Sequence, residues 1–163
     1  MLADNPQATY ALARRPLTVR EVEVLNLFAR GLSAKRAGIR LGITFATVRT
    51  HAMHIREKLL AKTCGHAVAV AITHADLAPG ILAGGLRERL ESKAAAAEKL
   101  SPRTIAVASR YARGMTHREI AQELGISEST VRTHAERIRN DLGVSTMDQA
   151  LATLVYHGKI RVS

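Results

Sequence analysis

The sequence has no tryptophan, two phenylalanines, three tyrosines, one cysteine and four prolines in 163 residues. Without large aromatic rings, a core must be assembled from Leu, Ile, Val and Ala, which suits close helix packing. With Cys64 alone, no intrachain disulfide can form and a thiolate zinc cluster is excluded, so a reduced, cytoplasmic setting is expected. No run of eighteen apolar residues occurs, so no membrane span is expected. The opening residues, MLADNPQATYALARR, lack the charged-then-apolar order of a secretory signal. Negative charge is scarce as well: 14 Asp and Glu stand against 24 Lys and Arg, a net +10. A small chain this basic is expected to have a polyanionic partner, nucleic acid ahead of an anionic membrane surface. There is no Walker loop, no HExxH, no carboxylate pair in an apolar setting and no nucleophile dyad. An enzyme is therefore the least supported reading, and no cofactor is expected.

What the chain does contain is itself, twice. Leu17 to Leu60 aligns without gaps on Leu100 to Gly143 at an offset of 83, with 18 identities. The identities cluster. Ala29-Arg30-Gly31 recurs as Ala112-Arg113-Gly114, and Leu41-Gly42-Ile43 as Leu124-Gly125-Ile126. Thr47-Val48-Arg49-Thr50-His51-Ala52 recurs as Thr130 to Ala135. A period of this length exceeds any solenoid unit and marks a duplicated small domain plus a linker.

Helix punctuation defines one unit. Ser101-Pro102 is an N-cap followed by Pro at the first helical position, and Thr18-x-x-Glu21 is a capping box. Val22, Val24, Leu25 and Phe28 follow at helical spacing, echoed by Ile105, Val107, Ala108 and Tyr111, and Gly31 and Gly114 end these helices. Thr116-x-x-Glu119 opens a short second helix ending at Leu124-Gly125. Ser127 caps a third, on which Val131, Ala135, Ile138 and Leu142 form one apolar stripe. Ser145-x-x-Asp148 is read as the cap of a fourth, apolar helix closed by Gly158. The tight turn between the second and third helices is that of a helix-turn-helix. The expected fold is all-α: two four-helix helix-turn-helix domains in tandem joined by a helical linker. The segments are an N-terminal extension (1–16), a first unit (17–76), a linker with a connecting helix (77–99) and a second unit (100–163). On that helix Leu86, Leu90 and Ala94 line one face.

Leu17-Thr18-Val19-Arg20-Glu21-Val22-Glu23-Val24-Leu25 and Glu119-Ile120-Ala121, Leu124, Ile126-Ser127, Thr130-Val131-Arg132, His134 and Ile138 resemble the two halves of the LuxR/FixJ (GerE-type) DNA-binding pattern. The resemblance covers about 17–75 and 100–157. It implies a DNA-binding domain whose third helix enters the major groove and whose fourth helix forms the dimer interface. Three departures stand out. Ala37-Gly38 replaces the family's Ile-Ala, losing a core side chain and placing Gly mid-helix at about 1 kcal/mol in propensity. Phe45 replaces a polar residue near the start of the recognition helix. The family's Lys-Leu is Lys58-Leu59 in the first unit but Asp141-Leu142 in the second. Most members carry a receiver or sensor ahead of this domain, whereas some sixteen residues precede Leu17; abundance or a partner is then the expected input.

DNA recognition needs cations for phosphates and side chains early in the recognition helix for bases. Arg49 and Arg132 meet both demands, since an Arg there forks onto guanine or clamps a phosphate. Thr47, Thr50, Thr130 and Thr133 are either phosphate or base-edge contacts or capping residues. Met53, Arg56, Lys58, Arg137 and Arg139 complete the expected DNA-binding set. Val48 and Val131 are expected to pack inward, although the family implies contact with thymine methyls. His51 and His134 either approach the backbone or are structural. His51-x-x-His54 has metal-like spacing, but Arg137 stands at the matching place and no acidic or Cys ligand is near, so no metal is expected. Phe45-Ala46 against Glu128-Ser129, and Met53 against Glu136, imply two unlike half-sites. Residues 14–62 carry net +8 and residues 100–163 net +3, so the first unit is expected to supply more of the salt-sensitive affinity.

The fourth helices, around Ala67 to Ile72 and Ala150 to Val155, would be unusual hydrophobic patches if exposed. They pair either within one chain as a pseudo-dimer or with a second chain, and homodimerisation is the reading preferred from sequence. The leading function is a sequence-specific transcriptional regulator binding double-stranded DNA. The alternatives are an architectural or recombination accessory factor, and an interaction module for RNA polymerase or another regulator.

Overall fold

The protein, a computed structural model, is described over residues 14–162. The extension assigned to 1–16 therefore lies largely outside the described residues. Ten helices and no strand are present among them. The first unit holds α1 (Val19–Ala29), α2 (Ala34–Leu41), α3 (Phe45–Leu59) and α4 (Cys64–Thr73). Then come α5 (Leu86–Glu91) and α6 (Ala94–Glu98), and the second unit holds α7 (Pro102–Ala112), α8 (His117–Leu124), α9 (Glu128–Leu142) and α10 (Met147–Tyr156). None is long and apolar enough to cross a membrane.

Each helix of the two units begins at a Ser or Thr whose hydroxyl accepts from one of its free amides, whereas α5 and α6 start at Gly85 and Lys93 without a side-chain cap. Thr18 and Thr116 form complete capping boxes with Glu21 and Glu119, and Ser101 and Ser127 accept from the amides of Thr104 and Thr130. At α10 the cap is Thr146, which accepts from the Gln149 amide, rather than the Ser145 read from sequence. That places Asp148 inside the first turn. Val22, Val24, Leu25 and Phe28 are buried on α1, and Val131, Ala135, Ile138 and Leu142 on α9, as the 3.6-residue period requires.

The two fourth helices are packed on each other within the chain. On α4 the run Gly65 to Ala71, except for His66, is buried, and on α10 the run Ala150 to Leu154. This pairing follows the other of the two expected options, the pseudo-dimer within one chain, and it covers the apolar face through which the preferred homodimer would form. The contacts are reciprocal, as in an isologous dimer. α10 packs on α1 of the first unit while α4 packs on α7 of the second. A side chain at Gly31 would strike the Gln149 carboxamide, and one at Gly114 would strike Lys62 and His66. His66 and Gln149 are equivalent positions of the repeat. Gly31 and Gly114 are thus required twice over, for their positive φ of 87° and 76° and for the close approach of the opposite unit.

The connecting segment is fastened to both units. The Asn26 carboxamide donates to the carbonyls of Ile81 and Ala83, and Leu86 and Leu90 are buried. Glu91 accepts from the Tyr156 hydroxyl, and Glu98 pairs with Lys159. The expected single connecting helix is broken into two. The Ser92 hydroxyl donates to the Arg89 carbonyl, competing with the helical ladder, and the Lys93 ammonium donates to the Gly143 carbonyl beyond the end of α9. Beyond the break Ala97 is buried, while Ala94, at the first position of α6, is exposed.

Gly38 has a positive use. A Cβ there would lie 2.8 Å from the Ile43 carbonyl oxygen, so the glycine lets the turn close on α2. The expected loss of a core side chain is thus accompanied by closer backbone packing, and α2 is fully formed.

Two predictions follow from these details. Leu60 caps α3 at φ 54°, where the second unit has Gly143 at φ 60°. Leu60→Gly is expected to raise stability by about 1 kcal/mol, read by thermal melting; a lower midpoint would show that the exposed side chain matters more than the backbone. Burial beside Gly65 pushes the Asp148 carboxyl up to about 6 from 3.8. The folded state therefore holds this proton more tightly than the unfolded one, and stability falls as pH rises from about 4 to 6. Asp148→Asn should be more stable than the parent at pH 7.5 by on the order of 1–3 kcal/mol, with the gap closing toward pH 4. A pH-independent gap would refute the assignment.

Candidate nucleic-acid interface

The recognition helices α3 and α9 are held in matching ways. Val48, Ile55 and Leu59 bury one side of α3, and Val131, Ala135, Ile138 and Leu142 one side of α9. Val48 and Val131 are fully buried, which agrees with inward packing and leaves them no surface to offer thymine methyls. The Arg20 guanidinium donates to the Leu41 carbonyl and Arg103 donates to Leu124, bracing the first helix of each unit against the end of the second. Sequence reading did not single out this pair, although the identity of positions 20 and 103 was visible.

The outer faces are open. Arg49, Thr50 and Met53 are exposed on α3, and Arg132, Thr133 and Arg137 on α9. Arg49 extends its guanidinium over the Phe45 ring, 5.8 Å from the centroid. This cation–π contact orients the group without consuming its N–H donors. Arg132 instead lies 3.7 Å from Glu128, and Arg137 lies 3.4 Å from Asp141. These surface pairs are weak and can open to a stronger anion. Arg56 and Arg139 are half-buried near the ends of the helices, with the Arg56 Nε–H donating to the Ala52 carbonyl.

The threonines serve their own helices. Thr47 and Thr130 share hydroxyl hydrogen bonds with the caps Thr44 and Ser127, at 2.8 and 2.9 Å. Thr50 and Thr133 donate to the carbonyls of Ala46 and Ser129. All four remain exposed, with acceptor lone pairs free. His51 and His134 are half-buried.

Lys58 has a partner that sequence reading missed. Its ammonium lies 2.8 Å from the carboxylate of Glu21, a residue only 3% exposed. Burial raises the Glu21 carboxyl, but the Lys58 ammonium and the Thr18 hydrogen bonds outweigh it and hold the carboxyl below 4.5. The second unit has neither member: Thr104 stands at the place of Glu21 and Asp141 at that of Lys58. Thr104 is fully buried and its hydroxyl is bonded to Ser101. The two positions change together because a buried carboxylate and its cation depend on each other. The signal was present in the alignment of the repeats, but the capping box accounted for Glu21 and concealed its second role.

Two recognition helices on one rigid, pseudo-symmetric frame, flanked by cations, make this a tandem helix-turn-helix protein. The chain belongs to the luxR family of bacterial regulatory proteins, matched over residues 15–71 and again over 98–154. It is 40% identical over 78 residues to the probable transcriptional regulatory protein NarL of Mycobacterium tuberculosis, a match covering 47% of this chain and 36% of that protein. It is 38% identical over 69 residues to the uncharacterized transcriptional regulatory protein YvfU of Bacillus subtilis, covering 41% and 34% respectively. With the transcriptional regulatory protein MctR of Rhizobium johnstonii it shares 39% over 59 residues, covering 36% and 28%. The chain thus spans about a third of the length of these curated relatives. No solved structure matches it.

Lys58→Met tests the reassignment. Leaving Glu21 buried without its cation should cost about 2–4 kcal/mol at neutral pH. Because the Glu21 carboxyl is held low, its stabilisation is present above 4.5 and is lost as pH falls through its folded-state value. The deficit should therefore shrink in acid. The salt slope of duplex binding should not change; a drop of about one unit would return Lys58 to the phosphate contacts.

Proposed function

We propose that this protein is a transcriptional regulator that binds duplex DNA sequence-specifically as a pseudo-dimer folded from one chain, with α3 and α9 each entering a major groove. One observation carries this reading. The reciprocal α4–α10 packing uses up the surfaces that would join two separate copies and leaves the outer faces of both recognition helices exposed. The names of the relatives, all transcriptional regulators, point the same way.

In this arrangement Arg49 and Arg132 reach guanine edges or adjacent phosphates, and Arg137 adds a phosphate contact on α9. Arg56 and Arg139, near the helix ends, face the backbone. Met53, Thr50 and Thr133 lie on the groove-facing surface, while Thr47 and Thr130 act mainly as cap partners. Binding duplex DNA puts the protein to work in the bacterial cytoplasm. Since α3 and α9 differ at their outward positions, the two half-sites are unlike. A single chain then reads an asymmetric operator in one orientation.

Selection from a random duplex library with the intact protein near physiological salt tests this, alongside light scattering at micromolar concentration. The expected result is a monomer that recovers two different motifs at fixed spacing, centred roughly one helical turn apart. Two identical motifs, or a dimer, would overturn the pseudo-dimer reading. Salt-sensitive binding without enrichment would favour an architectural DNA-bending role. Absence of binding would bring forward a module that docks on RNA polymerase or another regulator.

A further inference from the structure

The large apolar side chains that stand exposed among the described residues are Val19, Ile39, Phe45, Met53 and Leu60, and all belong to the first unit. Phe45 and Met53 share one ridge of α3 with Arg49, spaced four residues apart, and are 52% and 44% exposed. The equivalent ridge on α9 is Glu128, Arg132 and Glu136, all exposed. The central arginine is the same in both helices, and its neighbours differ in kind.

Building on the DNA-binding reading, we infer that the Phe45–Arg49–Met53 ridge reads thymine 5-methyl groups, and that the Glu128–Arg132–Glu136 ridge reads cytosine amino groups. In the major groove the thymine methyl is the apolar feature offered by the bases, and an exposed Phe or Met has no hydrogen bond to make there. A carboxylate brought into the groove lies near phosphates that repel it, so it is tolerated only where it meets a donor. Cytosine N4 supplies one.

The surroundings favour DNA over a protein as the occupant of the first ridge. Its middle is a cation, Arg49, whose N–H donors stay free while its face lies on Phe45. Lys35, Arg36 and Arg40 are exposed on α2, and residues 14–62 carry net +8. An apolar partner helix would have to bury this charge, whereas a duplex neutralises it. The second ridge differs in charge as well as shape, since Glu128 holds Arg132 and offsets its charge. The first unit then supplies affinity and thymine preference, and the second discriminates through donors.

The test is selection with the intact protein from two random duplex libraries, one synthesised with thymidine and one with deoxyuridine, which lacks only the methyl group. The thymidine library should return a thymine-rich motif joined to a cytosine-containing one, and the deoxyuridine library only the latter. On a recovered duplex, each deoxyuridine placed under the first unit should weaken binding about fourfold, the factor for one buried methyl-sized group. Phe45→Ala with Met53→Ala should abolish that sensitivity. Phe45→Glu with Met53→Glu should move the first motif toward cytosine. Phe45 and Met53 are both exposed, so unchanged thermal melting of either double variant would confirm that the fold is kept. Specific binding that is indifferent to the methyl group would overturn this inference and leave the regulator reading standing. Failure to select any sequence from either library would remove both.

Discussion

The packing of α4 against α10 is the contact on which the rest of the molecule depends. Each helix is apolar on nearly every side, and neither could remain in water alone. Pressed together, they also meet α7 and α1 of the opposite units, so the two repeats share one core rather than owning two. The frame that results has the reciprocal contacts of a symmetric dimer, and Gly31 and Gly114 leave room for the opposing Gln149 and His66. Because both partners are on one chain, the pairing carries no loss of translational freedom on assembly and does not depend on concentration.

Covalent fusion changes what the repeats can become. In a dimer of identical chains any substitution appears in both recognition helices at once. Here each unit varies by itself, and the differences fall in pairs that make physical sense. Glu21 and Lys58 form a half-buried ion pair in the first unit. The second replaces them with Thr104, satisfied by Ser101, and Asp141, which holds Arg137 at the surface. Phe45 and Met53 flank Arg49, while Glu128 and Glu136 flank Arg132. One difference lies in a buried pair, and the other lies on the exposed faces of α3 and α9.

The connecting segment does more than span the distance. It is pinned to the first unit by Asn26 and to the second by Tyr156 and Lys159, and its own Leu86 and Leu90 are buried. Lys93 reaches the carbonyl just past the end of α9, so the linker touches a recognition helix directly. Such fastening ties the placement of α3 to that of α9.

The sequence by itself determined the duplication, the four helices of each unit, most of their caps and the buried stripes. All of these follow from local periodicity and from hydroxyl and glycine residues at helix ends. It also singled out Arg49 and Arg132 and the unlike character of the two recognition helices. Only the tertiary structure decided what the fourth helices pack against, because an apolar face records that it must be buried and not by which surface. It alone gave Lys58 to Glu21, since residues 37 apart become partners only once α3 crosses α1. It alone broke the connecting helix at Ser92, where a side chain and a distant carbonyl outcompeted the strong helical propensity of the alanines around them. Local preference wrote the elements, and long-range burial and charge pairing chose their partners.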